Sequence, residues 1–223
     1  MSMKVELEEK GFFTVKNFFK NEEIDNFRNL CNQYFQNNKY YRGHGGCIVP
    51  GWSGITPELK EMNFLHEDQR ILDVVESVMG SDYIFAQHSD LHQNKASAWH
   101  TDTKDYERGG GIWPNWDDDY FIIKVSVLLQ DHIDNDFGLW VRPKTHKNIM
   151  TEFPMPIHSS RNDLIVFDQK IMHRGMKDSV TYKNLYKQDR YLITYGYGLD
   201  NEKTHTHMKG CVKRQNQQRD KMT

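Results

Sequence analysis

Apolar positions recur at helical spacing in the first third of the chain and alternate from Asp82 onward. Ile24, Phe27, Cys31 and Tyr34 fall on one face of a 3.6-residue repeat. Asn21 stands where a cap is expected, with Glu22 and Glu23 in the first turn, where the helix dipole favours acids. Leu72, Val75 and Val78 predict the inner side of a second helix over residues 67–79, stopped at Gly80. A strand-like "GFFTV" precedes the first helix. The clearest strand is "YFIIKVSVLLQ", residues 120–130. Phe121, Ile123, Val125, Val127 and Leu129 share one wholly apolar face; Ile122, Lys124, Ser126, Leu128 and Gln130 share a mixed one. That pattern suits a strand between a dry core and a partly polar cavity. Further strands are predicted at residues 83–94, 97–102, 138–142, 163–168 and 190–197. Helices followed by a run of strands predict a mainly β fold, with helices packed outside an antiparallel sandwich or barrel.

The segment between the helices, "YYRGHGGCIVPGWSG", is too rich in glycine for regular structure and reads as a lid or pocket wall. No repeat or low-complexity linker divides the 223 residues, so a single domain is expected. Its helices span about residues 20–80, its β core about 82–199, and a polar tail about 200–223. The tail reads as a solvated end.

Aromatic residues, at 13%, supply apolar area that the modest aliphatic content lacks. A net charge of −2 gives no support to nucleic-acid binding. Cys31, Cys47 and Cys211 are odd in number and show no CxxC spacing, which argues against a disulfide framework and a cysteine-based zinc site. "MSMKVELEEK" lacks the apolar stretch of a signal peptide, and no segment approaches the roughly 20 apolar residues of a membrane span. A cytoplasmic protein with a small-molecule substrate, and no membrane partner, is the expectation.

The chemistry centres on "SAWHTDT", residues 97–103. Side chains at i and i+2 of a strand share a face, so His100 and Asp102 can approach one ion. The best third ligand is His173, where the apolar strand of "DLIVFDQKIMHRG" gives way to a turn. Two histidines and a carboxylate without thiolate make up the facial triad of non-haem iron oxygenases. A rival row, His88, Asp90 and His92, spans roughly 13 Å along an extended strand, too far for one ion; it reads as lining the same cavity. His205 and His207 lie in the polar tail with no third ligand and are read as no site. His44, His66, His132, His146 and His158 receive no role.

Five segments in order resemble the phytanoyl-CoA dioxygenase family of iron(II)/2-oxoglutarate oxygenases, over about residues 11–198. They are "GFFTVKNFFKNEEIDNFR", "WHTD", "LLQDHIDNDFGLWVRPKTHK", "NDLIVFDQKIMHRG" and "RYLITYGYG". The resemblance implies a double-stranded β-helix (jelly-roll, cupin-like) core, with His100, Asp102 and His173 as iron(II) ligands. It implies Arg190 as the partner of the distal 2-oxoglutarate carboxylate, a role suited to a planar guanidinium in a low-dielectric barrel. Arg174 competes for that role, but as the neighbour of His173 it faces the other way. On the strand before the HxD pair, strand parity favours Asn94 over Lys95 as a further cosubstrate contact. Iron(II), 2-oxoglutarate and dioxygen are the implied cofactors, with ascorbate as a stimulant. Family halogenases replace the carboxylate ligand, so Asp102 favours hydroxylation.

The chain departs from the family pattern at Gly175, where a hydroxyl residue is common, at Pro143–His146, where "PKTH" replaces "PGSH", and in a longer insert between His173 and Arg190. Residues 40–54 and 105–120 are candidate water-excluding segments; Trp52, Trp113 and Trp116 are read first as packing for these surface loops, with the pocket wall as the alternative. Asp117, Asp118 and Asp119 read as a solvated acidic turn. Two other readings use the same residues: a cupin-like isomerase or hydrolase without 2-oxoglutarate, and a non-catalytic β-sandwich binding module.

Overall fold

The computed structural model describes all residues except 1, 44, 54, 55, 115, 117, 134, 135 and 150–152. His44 and Asp117 therefore lie outside the described residues. The chain opens with α1 (Met3–Lys10), capped by Ser2 and ended by Gly11 at φ 87°. β1 (Phe12–Val15) follows, then α2 (Asn21–Asn37). Asn21 is the first residue of α2 rather than its cap; Glu23 folds back to accept the Lys20 N–H at 2.8 Å. Next come the hairpin β2 (Tyr41–Gly43) and β3 (Gly46–Pro50), a 3-10 stretch over Pro57–Glu67, and α3 (Gln69–Met79), closed by Gly80. The β core contains β4 (Tyr83–Gln93), a short α4 (Lys104–Arg108), β5 (Ile122–Leu128), β6 (Leu139–Arg142), β7 (Met155–Ile157), β8 (Leu164–Asp168) and β9 (Met172–Arg174). α5 (Ser179–Tyr186), β10 (Tyr191–Leu199) and α6 (Glu202–Arg219) complete the chain.

A seven-stranded sheet, in the order β1-β8-β5-β10-β4-β3-β2, faces a three-stranded sheet, β7-β6-β9. The pairings between these strands are antiparallel. This is a mainly β fold with flanking helices and a jelly-roll core. The alternation in β5 works as expected. Ile123, Val125 and Val127 join Leu91, Ile193 and Tyr195 in the main core, which α2 and α3 cover with Ile24, Phe27, Ile71 and Val75. Lys124, Ser126 and Leu128 turn instead toward the cavity between the sheets. A second apolar cluster, built on Phe12, Val141, Ile165, Phe167 and Ile171, joins the two sheets beside that cavity.

Three local readings are corrected. Residues 97–102 form a single bridge at His100 and no continuous strand, because Asn94 at φ 52° ends β4 and α4 begins at Lys104. The glycine-rich segment after α2 is partly regular: β3 adds to the edge of β4, with Ile48 opposite His92. Trp52 does not wall the cavity; it is fully buried in the main core, its ring centroid 5.7 Å from that of Tyr195. Trp113 packs at 5.4 Å from Trp116 and 5.5 Å from Tyr120, away from the cavity between the sheets. Asp118 and Asp119 are exposed, as a solvated turn requires.

The tail is the largest departure. Asn201 caps α6 by accepting the Thr204 N–H at 3.0 Å, and the helix buries Thr204, His207, Gly210, Cys211 and Gln215. Polar side chains dominate this buried stripe, so hydropathy does not reveal it. Glycines permit its docking on α4. A Cβ on Gly210 would stand 1.6 Å from the Asp105 carbonyl oxygen, and one on Gly109 would stand 1.8 Å from that of Thr206.

Gly210→Ala is expected to force these backbones apart and lower stability by about 1–3 kcal/mol, the usual cost of overpacking; chemical denaturation measures it, with Lys209→Ala as the control. Burial pushes the Asp168 carboxyl up to about 6 from 3.8, against the opposing pull of Lys170. The folded chain therefore holds the proton more tightly than the unfolded one, and this group's contribution to stability falls as pH rises through that interval. Asp168→Asn is expected to flatten this slope, read from denaturation midpoints across pH.

Candidate functional site

His100 and His173 are direct register partners, each donating its backbone N–H to the other's carbonyl at 2.9 Å. Opposed residues of such a pair project to one side of the sheet, and the two imidazole centroids lie 4.4 Å apart. The Asp102 N–H donates to the Gln169 carbonyl at 3.0 Å, which fixes the chain just before α4. Asp102 then stands between the rings: Oδ1 is 3.5 Å from His100 Nε2, and Oδ2 is 3.5 Å from His173 Nε2. The donor atoms of the three residues fall within 4.8 Å of one another.

Both rings are held from behind. His100 Nδ1 donates to the Ala98 carbonyl at 2.8 Å and His173 Nδ1 to the Ile171 carbonyl at 3.0 Å. In the neutral tautomer this leaves each Nε2 lone pair facing Asp102, as a metal ligand requires. Phe167 packs against the His173 ring with centroids 4.8 Å apart. Burial pushes the Asp102 carboxyl up, but Lys124, His173 and His100 outweigh it and hold the group well below the usual carboxylate range. Burial lowers His173, while for His100 the Asp102 contacts outweigh burial and raise it. A charged carboxylate and a neutral His173 are the forms that bind a cation.

Lys124, whose side chain is 8% exposed, places its ammonium against Asp102 Oδ2. Its position on the mixed face of β5 was legible in the alternation, but nothing in the spacing linked it to Asp102. With Lys95 and Arg190 it makes one end of the cavity cationic; burial and these three charges together lower His92 to about 3, so its imidazole is neutral.

Arg190 is 1% exposed and lines the same cavity, of about 500 Å³, as the histidine–aspartate cluster. Its Nε donates to the Phe137 carbonyl at 3.0 Å, while Nη2 has no hydrogen-bond partner. Burial lowers it to about 10, still a cation at neutral pH. A buried guanidinium nitrogen with no partner is costly unless an anion completes it. Arg28 of α2 anchors this region from outside, donating to the carbonyls of Leu129 at 3.1 Å and Asp189 at 2.7 Å.

The expectation for Asn94 is corrected. Asn94 Oδ1 accepts the Arg190 N–H at 2.8 Å and its Nδ2 donates to Asp189 at 2.6 Å, so the amide is fully engaged and does not line the cavity. The backbone turn at Asn94 breaks the strand parity that had aimed it inward; Lys95 lines the cavity instead. Arg174 stacks on Trp140 at 4.7 Å and Trp99 at 5.5 Å, opposite to His173. His88, Asp90 and His92 all line the cavity, as does Arg214 of α6, a residue the reading of the tail had missed.

No protein-family model and no curated protein matches the chain. Solved structures do match in fold. HygX from Streptomyces hygroscopicus, with nickel, 2-oxoglutarate and hygromycin B bound, superposes with a TM-score of 0.67 at 15% identity, over 89% of this chain and 86% of that one. SnoN, a non-haem α-ketoglutarate-dependent epimerase from nogalamycin biosynthesis, gives 0.66 at 14% identity over 87% and 80%. Apo EctD from S. alaskensis gives 0.66 at 15% identity over 88% and 75%. Among the described residues no helix is long and apolar enough to cross a membrane. The chain thus shares the fold of these structures.

Proposed function

We propose that the chain is an iron(II)- and 2-oxoglutarate-dependent oxygenase that hydroxylates a small-molecule substrate. The observation that carries this reading is the meeting, in one cavity, of a His100–Asp102–His173 cluster with Arg190, a buried guanidinium whose Nη2 has no hydrogen-bond partner. The donor set suits iron(II), which accepts two imidazoles and a carboxylate on one face and keeps positions free for other ligands. With dioxygen, iron(II) and 2-oxoglutarate supply an oxidant for an unactivated C–H bond, the cosubstrate leaving as succinate and carbon dioxide.

The chain's own residues bind, orient and shield. The Ala98 and Ile171 carbonyls hold both imidazoles in the ligating tautomer. Arg190 takes the distal carboxylate of 2-oxoglutarate, and its buried setting strengthens that charge-assisted contact. Lys124 neutralises Asp102 until a metal does so, and thereafter its ammonium remains beside an anionic cosubstrate. Phe167, Leu128 and Leu192 supply apolar wall that limits water around the reacting centre. HygX with nickel and 2-oxoglutarate, and SnoN with Fe3+ and α-ketoglutarate (the same compound as 2-oxoglutarate), give the assignment support by analogy of fold. A cupin-like isomerase or hydrolase would share the metal ligands but has no use for the open end of Arg190.

The deciding experiment is succinate release by iron-loaded protein with 2-oxoglutarate, dioxygen and ascorbate, screened over a panel of metabolites, with product mass recorded. Release stimulated by a metabolite that gains one oxygen atom is the expected outcome; turnover of a panel member without succinate would establish the cupin-like alternative instead. Asp102→Ala and His173→Ala are expected to abolish both iron retention and release. Arg190→Gln is expected to weaken 2-oxoglutarate binding by about 10- to 100-fold, the loss of a charged hydrogen-bonded contact worth about 1.5–3 kcal/mol, while leaving iron(II) affinity unchanged in anaerobic titration. Unaltered 2-oxoglutarate affinity in that variant would remove Arg190 from the cosubstrate site.

A further inference from the structure

Beside the iron-type cluster, and sharing no ligand with it, stands a second convergence of metal-binding side chains. His88 of β4, Asp105 of α4, and His207 and Cys211 of α6 bring one donor atom each within 4.8 Å of the others. All four are buried, with exposures of 4%, 3%, 0% and 0%. His207 and Cys211 are four residues apart on one helix and so share a face. Cys211 Sγ lies 3.1 Å from Asp105 Oδ2 and 3.7 Å from His207 Nε2, and His88 Nδ1 lies 3.9 Å from Asp105 Oδ2. Bonds of about 2.0–2.3 Å in a tetrahedron put neighbouring donors roughly 3.3–3.8 Å apart; the separations of 3.1, 3.7 and 3.9 Å bracket that range, so small side-chain shifts would fit a single small ion.

The outer nitrogens of both imidazoles are already held. His207 Nδ1 meets the Tyr120 hydroxyl at 3.1 Å, leaving Nε2 to face Cys211. His88 Nε2 lies 3.4 Å from Asp90 Oδ2, the carboxylate–histidine arrangement that orients metal ligands. Its inner Nδ1 is buried and has no hydrogen-bond partner. A buried nitrogen without a partner, aimed at a thiol, a carboxylate and a second imidazole, is difficult to explain by packing alone.

We infer that His88, Asp105, His207 and Cys211 form a closed, structural zinc site that clamps the C-terminal helix to the wall of the catalytic cavity. Four protein donors leave no position for water or substrate, the mark of a structural centre, and a mixed set of nitrogen, sulfur and oxygen suits Zn2+. On binding, the Cys211 thiol passes its proton to solvent and the thiolate and Asp105 carboxylate together balance the charge of the ion. Arg214, which donates to Asp105 Oδ2 at 3.1 Å and Asp90 Oδ2 at 3.0 Å, stays beside the centre as the counter-charge to Asp90. The site holds α6 where its Arg214, Gln217 and Gln218 complete the cavity wall. The absence of a CxxC pair hides it in the sequence, since its ligands come from three elements and include one cysteine.

Cobalt(II) substitution of the metal-free full-length chain tests the inference, because a thiolate ligand gives a charge-transfer band in the near ultraviolet that a histidine–carboxylate site lacks. The folded wild type is expected to show this band and to bind one more equivalent of cobalt than Cys211→Ser, which loses the band. His100→Ala is expected to lose one equivalent and keep the band, so this outcome stands apart from that of the proposed oxygenase site. The Cys31→Ser/Cys47→Ser double variant should also keep it. A folded wild type with no thiolate band, or a band that survives in Cys211→Ser, would overturn the assignment. The wild-type spectrum decides even if Cys211→Ser fails to fold.

Discussion

The reciprocal backbone hydrogen bonds between His100 and His173 are the constraint on which the candidate site depends. They join segments separated by more than seventy residues and oblige both imidazoles to leave the backbone on the same side. Asp102 then needs only a single anchor, on the Gln169 carbonyl, to stand between them. The precision of the cluster is thus a property of main-chain pairing, which side-chain substitution nearby disturbs little. The apolar cluster of Phe167, Val141 and Ile171 supports that pairing by holding the smaller sheet against the larger.

The same sheets that frame the His100–Asp102–His173 cluster also separate two environments. In β5, each odd position enters the dry core under α2 and α3, while Lys124 and Ser126 face the cavity. β10 continues this division, with Ile193 in the core and Leu192 and Thr194 facing inward. Low dielectric behind the wall strengthens the fields of Lys95, Lys124 and Arg190, which converge on His92 without any of them being a metal ligand. The result is a cavity with one end prepared for an anion.

What was legible in the sequence follows from what local pattern can carry. The period-two alternation of residues 122–128 and the helical spacing of Ile24, Phe27 and Cys31 report burial directly, so the layers of the fold could be read. The HxD pair and His173 are singled out by ligand chemistry and by ordered resemblance, and the fold brings the three side chains together. Asn94 was misassigned because strand parity assumes an unbroken strand, and a left-handed residue breaks it there. α6 was missed for a different reason: it packs through His207, Thr204, Gly210 and Gln215, a stripe that hydropathy scores as solvent-facing. Lys124 was visible as the charged residue on the mixed face of β5, but its partner became evident only in three dimensions.

Arg28 has a consequence for the Arg190 end of the cavity. It sits on an outer helix, yet it ties the ends of two strands together through the Leu129 and Asp189 carbonyls and stacks on Tyr191, immediately beside Arg190. The stance of Arg190 is therefore set partly from the opposite surface of the sheet. Under the proposed function, drift in the seating of that helix would retune how strongly the protein competes for a scarce organic acid while the reaction chamber itself is left unaltered.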